Sequence, residues 1–260
     1  MGRNLFAFRG RLRPTCRLLA YASAEPATLS TVVGPTLKDF VELSKEHKDG
    51  WGLTTCATIG GVQERERDLA PAVESEIFSH LSTEKASDGA LFHLRLASKG
   101  LAVDLSNNHP FIHGDISFMH NGTIRPAASV EHLIDADLLA QLTSTTDSER
   151  YFFAILSKAR EVGLIEAIAA TVKEISSTCD YSSINSITLT PDFLIAACQF
   201  NEAEQSEWTV PFHYELRFTK EDGAIKIAST GWGHDDWTPL TNGKMLVVNR
   251  ADLSYKILDI

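Results

Sequence analysis

The hydrophobic pattern of this chain changes period twice, and no other feature narrows its possible folds as much. The first part carries short strand-like runs: CRLLAYAS at 16–23, ALFHLRLAS at 90–98, and HPFIHGDISFMHNGTI at 109–124. The last of these is expected to place Ile112, Ile116 and Phe118 on one face. From 130 to 175 the spacing becomes helical, predicting helices over Val130 to Leu142, Asp147 to Arg160 and Leu164 to Ile175. The third carries a stripe of Leu164, Ile168, Val172 and Ile175. The tail then returns to strands in SINSITLTPDFLIAACQF, in HYELRFTKEDGAIKIAST with a turn at Asp222-Gly223, and in KMLVVNRADLSYKILDI. Two earlier helices are expected over Thr36 to His47 and Pro71 to Leu81, and GLTTCATIGGVQERERD reads as a hairpin that breaks at Gly60-Gly61. Strands, then helices, then strands again, with no linker rich in Pro, Gly or Ser between halves, predict one α+β domain in which helical layers cover packed sheets.

Composition limits the partners more than the fold. The 260 residues are 43% hydrophobic and 22% charged, ordinary for a chain that buries a sizeable core. A formal charge of -10 argues against nucleic acid, whose phosphates demand clustered Lys and Arg. No run of roughly 18 apolar residues is present, so no membrane-spanning helix is expected. The four cysteines, Cys16, Cys56, Cys179 and Cys198, lack CxxC spacing and read as reduced thiols in a cytoplasmic protein. Residues 1–15 stand apart, with four arginines and no acid; they read as a leader or pro-segment, or as an extension ahead of the functional start.

Four stretches look unlike core filler. In HNG, Asn121 and Gly122 suit a strand-end turn, yet an Asn amide and a Gly N–H can also converge as donors on a developing oxyanion. In FHLRLASKG, Arg95 alternates onto the face of His93, Ala97 and Lys99. That face is either solvated or holds a guanidinium fixed to grip a carboxylate. In TTDSE, Thr146 and Glu149 form a capping box, which puts Asp147 in the first helical turn, where it could meet an ammonium. Last, His93, His109, His113 and His120 crowd one region; alternating strand faces and Pro110 disfavour a metal site, leaving core or supporting hydrogen bonds.

Taken in order, CRLLAY, DGWG, HLRLASKG, NNHPF, HNGTI and TDSE resemble the class II glutamine amidotransferase domain, a branch of the N-terminal-nucleophile (Ntn) hydrolases. The likeness is to the short stand-alone bacterial members, and the tail segment AST, Trp237 and KMLVV is similar to the family's closing strands. The resemblance implies a four-layer αββα sandwich of two antiparallel sheets, a domain over 16–260, and no metal or organic cofactor. It implies that Cys16, once first in the chain, attacks the side-chain amide of glutamine with its own α-amine as base. An α-amine near pKa 8 and a thiol near 8.5 are well matched for that transfer. Asn121 and Gly122 would then hold the oxyanion, Arg95 the substrate α-carboxylate and Asp147 its α-ammonium. Ser98, His109, Trp51 and Gly52 match positions that shape the pocket. The synthases of the family carry Trp after the arginine and Thr before a final His-Gly, where this chain has Leu96, Ser98 and Lys99. The implied partners are glutamine or a γ-glutamyl compound and, for the ammonia, a separate accepting subunit. Two rival readings are an amidohydrolase of a γ-glutamyl conjugate and a catalytically silent glutamine-sensing subunit.

Overall fold

Both faces of the CRLLAYAS run are apolar, so its strand has to lie inside the molecule. The computed structural model describes residues 15–57, 62–98, 100–204, 213–234 and 236–260, and it buries that strand on both sides. The Gly60-Gly61 break, Lys99 and leader residues 1–14 lie outside the described residues. In chain order the strands are β1 (Arg17–Thr28), β2 (Trp51–Cys56), β3 (Gln63–Asp68), β4 (Ala86–Leu94), β5 (Phe111–His113), β6 (Ile116–Arg125), β7 (Asp180–Leu189), β8 (Phe193–Cys198), β9 (Leu216–Glu221), β10 (Ala224–Ser229), β11 (Thr238–Leu240), β12 (Lys244–Asn249) and β13 (Tyr255–Asp259). The helices are α1 (Leu29–Val33), α2 (Leu37–Glu42), α3 (Glu76–Glu84), α4 (Ala136–Leu139), α5 (Asp147–Val162) and α6 (Leu164–Thr178).

Among the described residues the strands form two sheets, ordered β11-β9-β10-β1-β4-β2-β3 and β13-β12-β8-β7-β6-β5. Strand pairing is antiparallel in both. Alternation along the strands builds three apolar layers. Leu18, Ala20 and Ala22 of β1 face Met119, Ile187 and Leu246 of the other sheet across the middle of the sandwich. Leu19 and Tyr21 face outward, where Phe40 and Phe78 of α2 and α3 pack on Phe92. On the opposite outside, α5 and α6 cover the second sheet; Phe152 stacks on Phe118 at 5.1 Å, and Ile168, Val172 and Ile175 are buried beneath the predicted stripe. Burial of each such side chain contributes about 1.5–3 kcal/mol. Helices outside two face-packed antiparallel sheets are the αββα arrangement expected.

Several element boundaries differ from the sequence-based expectation. Strand β1 continues through Pro26 to Thr28, with a register shift between Ala22 and Ala27, instead of ending in a turn after Ser23. The single helix expected over Thr36 to His47 is divided: α1 starts earlier, at Leu29, and 3-10 turns at 34–36 and 43–45 flank α2. Proline at 35 explains the first interruption. Val130 to Leu142 is a 3-10 stretch ending at Leu133 followed by the four residues of α4. Ile112 does not share a face with Ile116 and Phe118. The hairpin turn at Gly114 pairs Phe111 with Phe118 and Ile112 with Ser117, so Phe111 takes that place.

Candidate active site

Pairing register assembles the site. Arg17 of β1 lies opposite Leu94 of β4, and Trp51 of β2 also pairs with Leu94. The start of β1, the end of β4 and the start of β2 therefore meet at one end of the first sheet, bringing Cys16, Arg95 and the DGWG turn together. The Cys16 Sγ sits against the backbone of Leu96, 3.5 Å from its N–H and 3.6 Å from its carbonyl. The turn is tied to the same segment: Arg95 N–H donates to the Gly50 carbonyl at 2.8 Å, and Ala97 N–H donates to the Asp49 carboxylate at 2.8 Å. Sequence reasoning missed Asp49 as the anchor of this loop, although it stands in the DGWG stretch.

The polar face that carries His93 and Arg95 is the inner face of the sheet, not a solvated one. His93 pairs with Leu18, which points between the sheets, and both His93 and Arg95 are buried. One guanidinium nitrogen of Arg95 donates to the Ala102 carbonyl at 2.9 Å, while Nη1 is buried and has no hydrogen-bond partner. A buried guanidinium with a free donor is suited to an incoming carboxylate. Burial lowers the Arg95 pKa from its ordinary value, and the thiol of Cys16 and the carboxylate of Asp49 oppose that change.

From the second sheet come Asn121 and Gly122. They lie within β6, not in a turn that follows it, and Asn121 shares the inward face of Met119. Asn121 is buried with its Oδ1 unpartnered. Gly122 has φ 150° at a register shift between Gly122 and Ile124, and a Cβ there would stand 1.8 Å from the Ser183 carbonyl oxygen. Only glycine fits. Asp147 opens α5 just past the cap, and its carboxylate accepts the Ile124 N–H at 2.6 Å, which fixes it to the strand that carries Asn121. The expected capping box is present in altered form. Thr146 Oγ1 accepts the Glu149 N–H, but the Glu149 carboxylate reaches back to the amides of Thr143 and Ser144.

Electrostatics link the parts. Burial pushes the Cys16 thiol up; the Leu96 N–H, Arg95 and Arg17 oppose this, and Asp147 adds to it. At neutral pH the thiol is thus held protonated and needs a base. Arg17, which stands in CRLLAY but was assigned no role from sequence, wraps the residue ahead of the thiol: its Nη1 donates to the Thr15 hydroxyl at 3.0 Å and to the carbonyls of Cys16 and Thr15 at 3.1 and 3.3 Å. Thr15 Oγ1 also lies 3.0 Å from His213 Nε2.

The remaining predicted positions divide. Gly52 lies directly under the His109 backbone, whose carbonyl oxygen would stand 1.9 Å from a Cβ. His109 is buried with its ring 4.3 Å from that of His93. The Trp51 side chain points away from the thiol, into the outer core against Phe78, so its strand backbone is what lies at the site. Ser98 is exposed, with its carbonyl accepting the Leu101 N–H.

The family model described as class-II glutamine amidotransferases matches residues 15–258. The chain is 32% identical over 125 residues to the glutamine--fructose-6-phosphate aminotransferase (isomerizing) of Vibrio cholerae, covering 48% of this chain and 18% of that protein. Among solved structures, a glutamine aminotransferase class-II domain protein from Silicibacter pomeroyi superposes with a TM-score of 0.66 at 19% identity, covering 94% of this chain and 99% of the other. The glutamine phosphoribosylpyrophosphate amidotransferase of B. subtilis superposes with a TM-score of 0.61 at 16% identity, over 94% of this chain and 49% of that one. A predicted glutamine amidotransferase from Pseudomonas aeruginosa gives a TM-score of 0.55 at 17% identity, over 94% and 100%. The fold is that of the Ntn-hydrolase amidotransferase domains, and this chain belongs to the class II glutamine amidotransferases.

Proposed function

We propose that the protein is a glutaminase-type amidohydrolase that cleaves the side-chain amide of glutamine through a thioester on Cys16. The observation that carries this reading is the pairing of a half-buried thiol, whose pKa its surroundings raise, with a buried Arg95 whose Nη1 has no partner, within electrostatic range of Asp147. Arg95 binds the substrate α-carboxylate and Asp147 the α-ammonium, so a free amino-acid head group is selected at both ends. The Cys16 Sγ attacks the side-chain carbonyl carbon and its proton passes to the α-amine of the same residue. Asn121 and the Gly122 N–H stabilise the oxyanion. Collapse of the tetrahedral intermediate expels the amide nitrogen, which takes the proton and leaves as ammonia; water then hydrolyses the thioester to glutamate.

The scheme requires the Thr15–Cys16 bond to be broken, because an amide nitrogen cannot serve as base. Protein beginning at Cys16 is therefore expected to release ammonia from glutamine, and protein retaining residues 1–15 is expected to be nearly inactive. Intact mass measured alongside ammonia release checks both, and full-speed turnover by the unprocessed chain would overturn the assignment. Cys16→Ala is expected to abolish turnover without loss of thermal stability. A second reading, hydrolysis of a γ-glutamyl conjugate, is favoured by the half-buried Leu96 beside the thiol, where the family's synthases place a larger Trp. Amine release from a panel of γ-glutamyl compounds exceeding ammonia release from glutamine would select it. In the first reading ammonia goes free or passes to a separate accepting subunit.

A further inference from the structure

Strand β3 closes one edge of the first sheet with the sequence QERERD, whose alternation puts Arg65 and Arg67 on one face. Charges on an edge strand commonly serve only to discourage pairing with another chain. Here the arginines do more than that. They line a cavity of about 220 Å³, and His113 of β5, Gln141 and Phe153 of α5 contribute other parts of its wall.

Each guanidinium has one hydrogen bond to a backbone carbonyl. Arg65 Nη1 donates to Pro110 at 3.2 Å, and Arg67 Nη1 donates to Asn108 at 2.8 Å. Among the described residues, no carboxylate comes within ion-pair distance of either. Glu149 also lines the cavity, but its two carboxylate oxygens already accept the Thr143 N–H, the Thr143 hydroxyl and the Ser144 N–H. Two like charges are thus held side by side, each with donors left over, against a pocket that also presents an imidazole and a primary amide. Burial and the neighbouring Arg65 push the Arg67 pKa down to about 10 against the more distant pull of Asp104 and Glu149, and a bound anion would relieve that cost.

We propose that this cavity binds a small oxyanion, phosphoryl or carboxylate, gripped by Arg65 and Arg67. Planar guanidiniums two residues apart on one strand face match the paired oxygens of either group, and the volume admits the anionic end of a small metabolite but not a polymer. The pocket lies behind the substrate site. The carbonyls that Arg65 and Arg67 hold flank His109, whose own carbonyl packs on Gly52.

Calorimetric titration of the full-length protein with inorganic phosphate, and separately with malonate, at ionic strength fixed with sodium chloride, tests the assignment. Saturable one-site binding is expected for at least one of them. Arg65→Gln should weaken it at least tenfold, with circular dichroism and thermal midpoint unchanged, since Arg65 is exposed. Arg67→Gln should weaken it as much or more. Arg125→Gln, which removes a surface arginine paired with Asp180 and Glu204, should leave binding as in the wild type. Tighter phosphate binding assigns a phosphoryl ligand, and tighter malonate binding a carboxylate. Absence of saturable binding by either anion, or affinity equal in wild type and Arg65→Gln, would overturn the proposal.

Discussion

At the scale of single residues, the proposed chemistry divides binding from bond breaking in a way that kinetics can read. Asp147 is anchored by the Ile124 N–H and does not touch the thiol, so under the proposed roles it grips the substrate ammonium in the ground state and in the transition state alike. Asp147→Asn is expected to raise KM more than it lowers kcat. The role proposed for Asn121 is the opposite, since there its amide would meet charge only when the oxyanion forms. Asn121→Ala should lower kcat by about 10²–10³ with a smaller change in KM. Steady-state ammonia release by the two variants checks this split, and equal losses of kcat in both would contradict it. Asn121, Arg95 and Asp147 were all legible in the sequence because each stands in a short stretch whose local chemistry asks for a second explanation. Arg17 and Asp49 were not. The Asp49 contact to the Ala97 amide depends on strand register that no local pattern encodes, and Arg17, whose contacts to Thr15 and Cys16 are local, stands in a run whose pattern draws attention only to its apolar neighbours.

Among the elements, α5 links stability to the site, because its cap and its first residue serve different ends. Thr146 Oγ1 caps the Glu149 amide, and the next residue is Asp147. Thr146→Ala is expected to cost about 1 kcal/mol of stability, read from denaturant midpoints, and also to raise KM by loosening the turn that presents Asp147. A variant with the stability loss but an unchanged KM would show that the Ile124 anchor suffices alone. The long helices α5 and α6 were readable from helical spacing, α6 from a full apolar stripe, and the β9–β10 turn from its Asp222-Gly223 pair, which adopts the positive φ that these residue types favour. The broken helices were not. Four or five residues of α1 or α4 carry too little periodic signal, and what orders them is the sheet they cover, not their own propensity. The HNG stretch misled for a related reason: its turn chemistry is real, but the register shift uses it inside a strand.

Across the whole molecule, the fold buries histidines and keeps them neutral, and this sets its response to acid. His47 and His213 are pushed down to about 4 and His93 to about 3, in each case chiefly by burial, with Arg17 or Arg95 adding to the effect. In the unfolded chain these rings titrate near 6.5. Between the folded and unfolded values the unfolded state binds more protons than the native state, so stability rises with pH in that window. Their neutral burial carries no penalty above about pH 6.5, and the penalty grows as pH falls until the folded values are passed. Each ring contributes a slope of up to about 1.4 kcal/mol per pH unit. Urea midpoints are therefore expected to be flat from pH 8 to 7 and to fall steeply from 6.5 toward 4.5. A midpoint that stays constant down to pH 5 would mean that these rings are protonated within the native structure, and so that water reaches the places where the fold buries them.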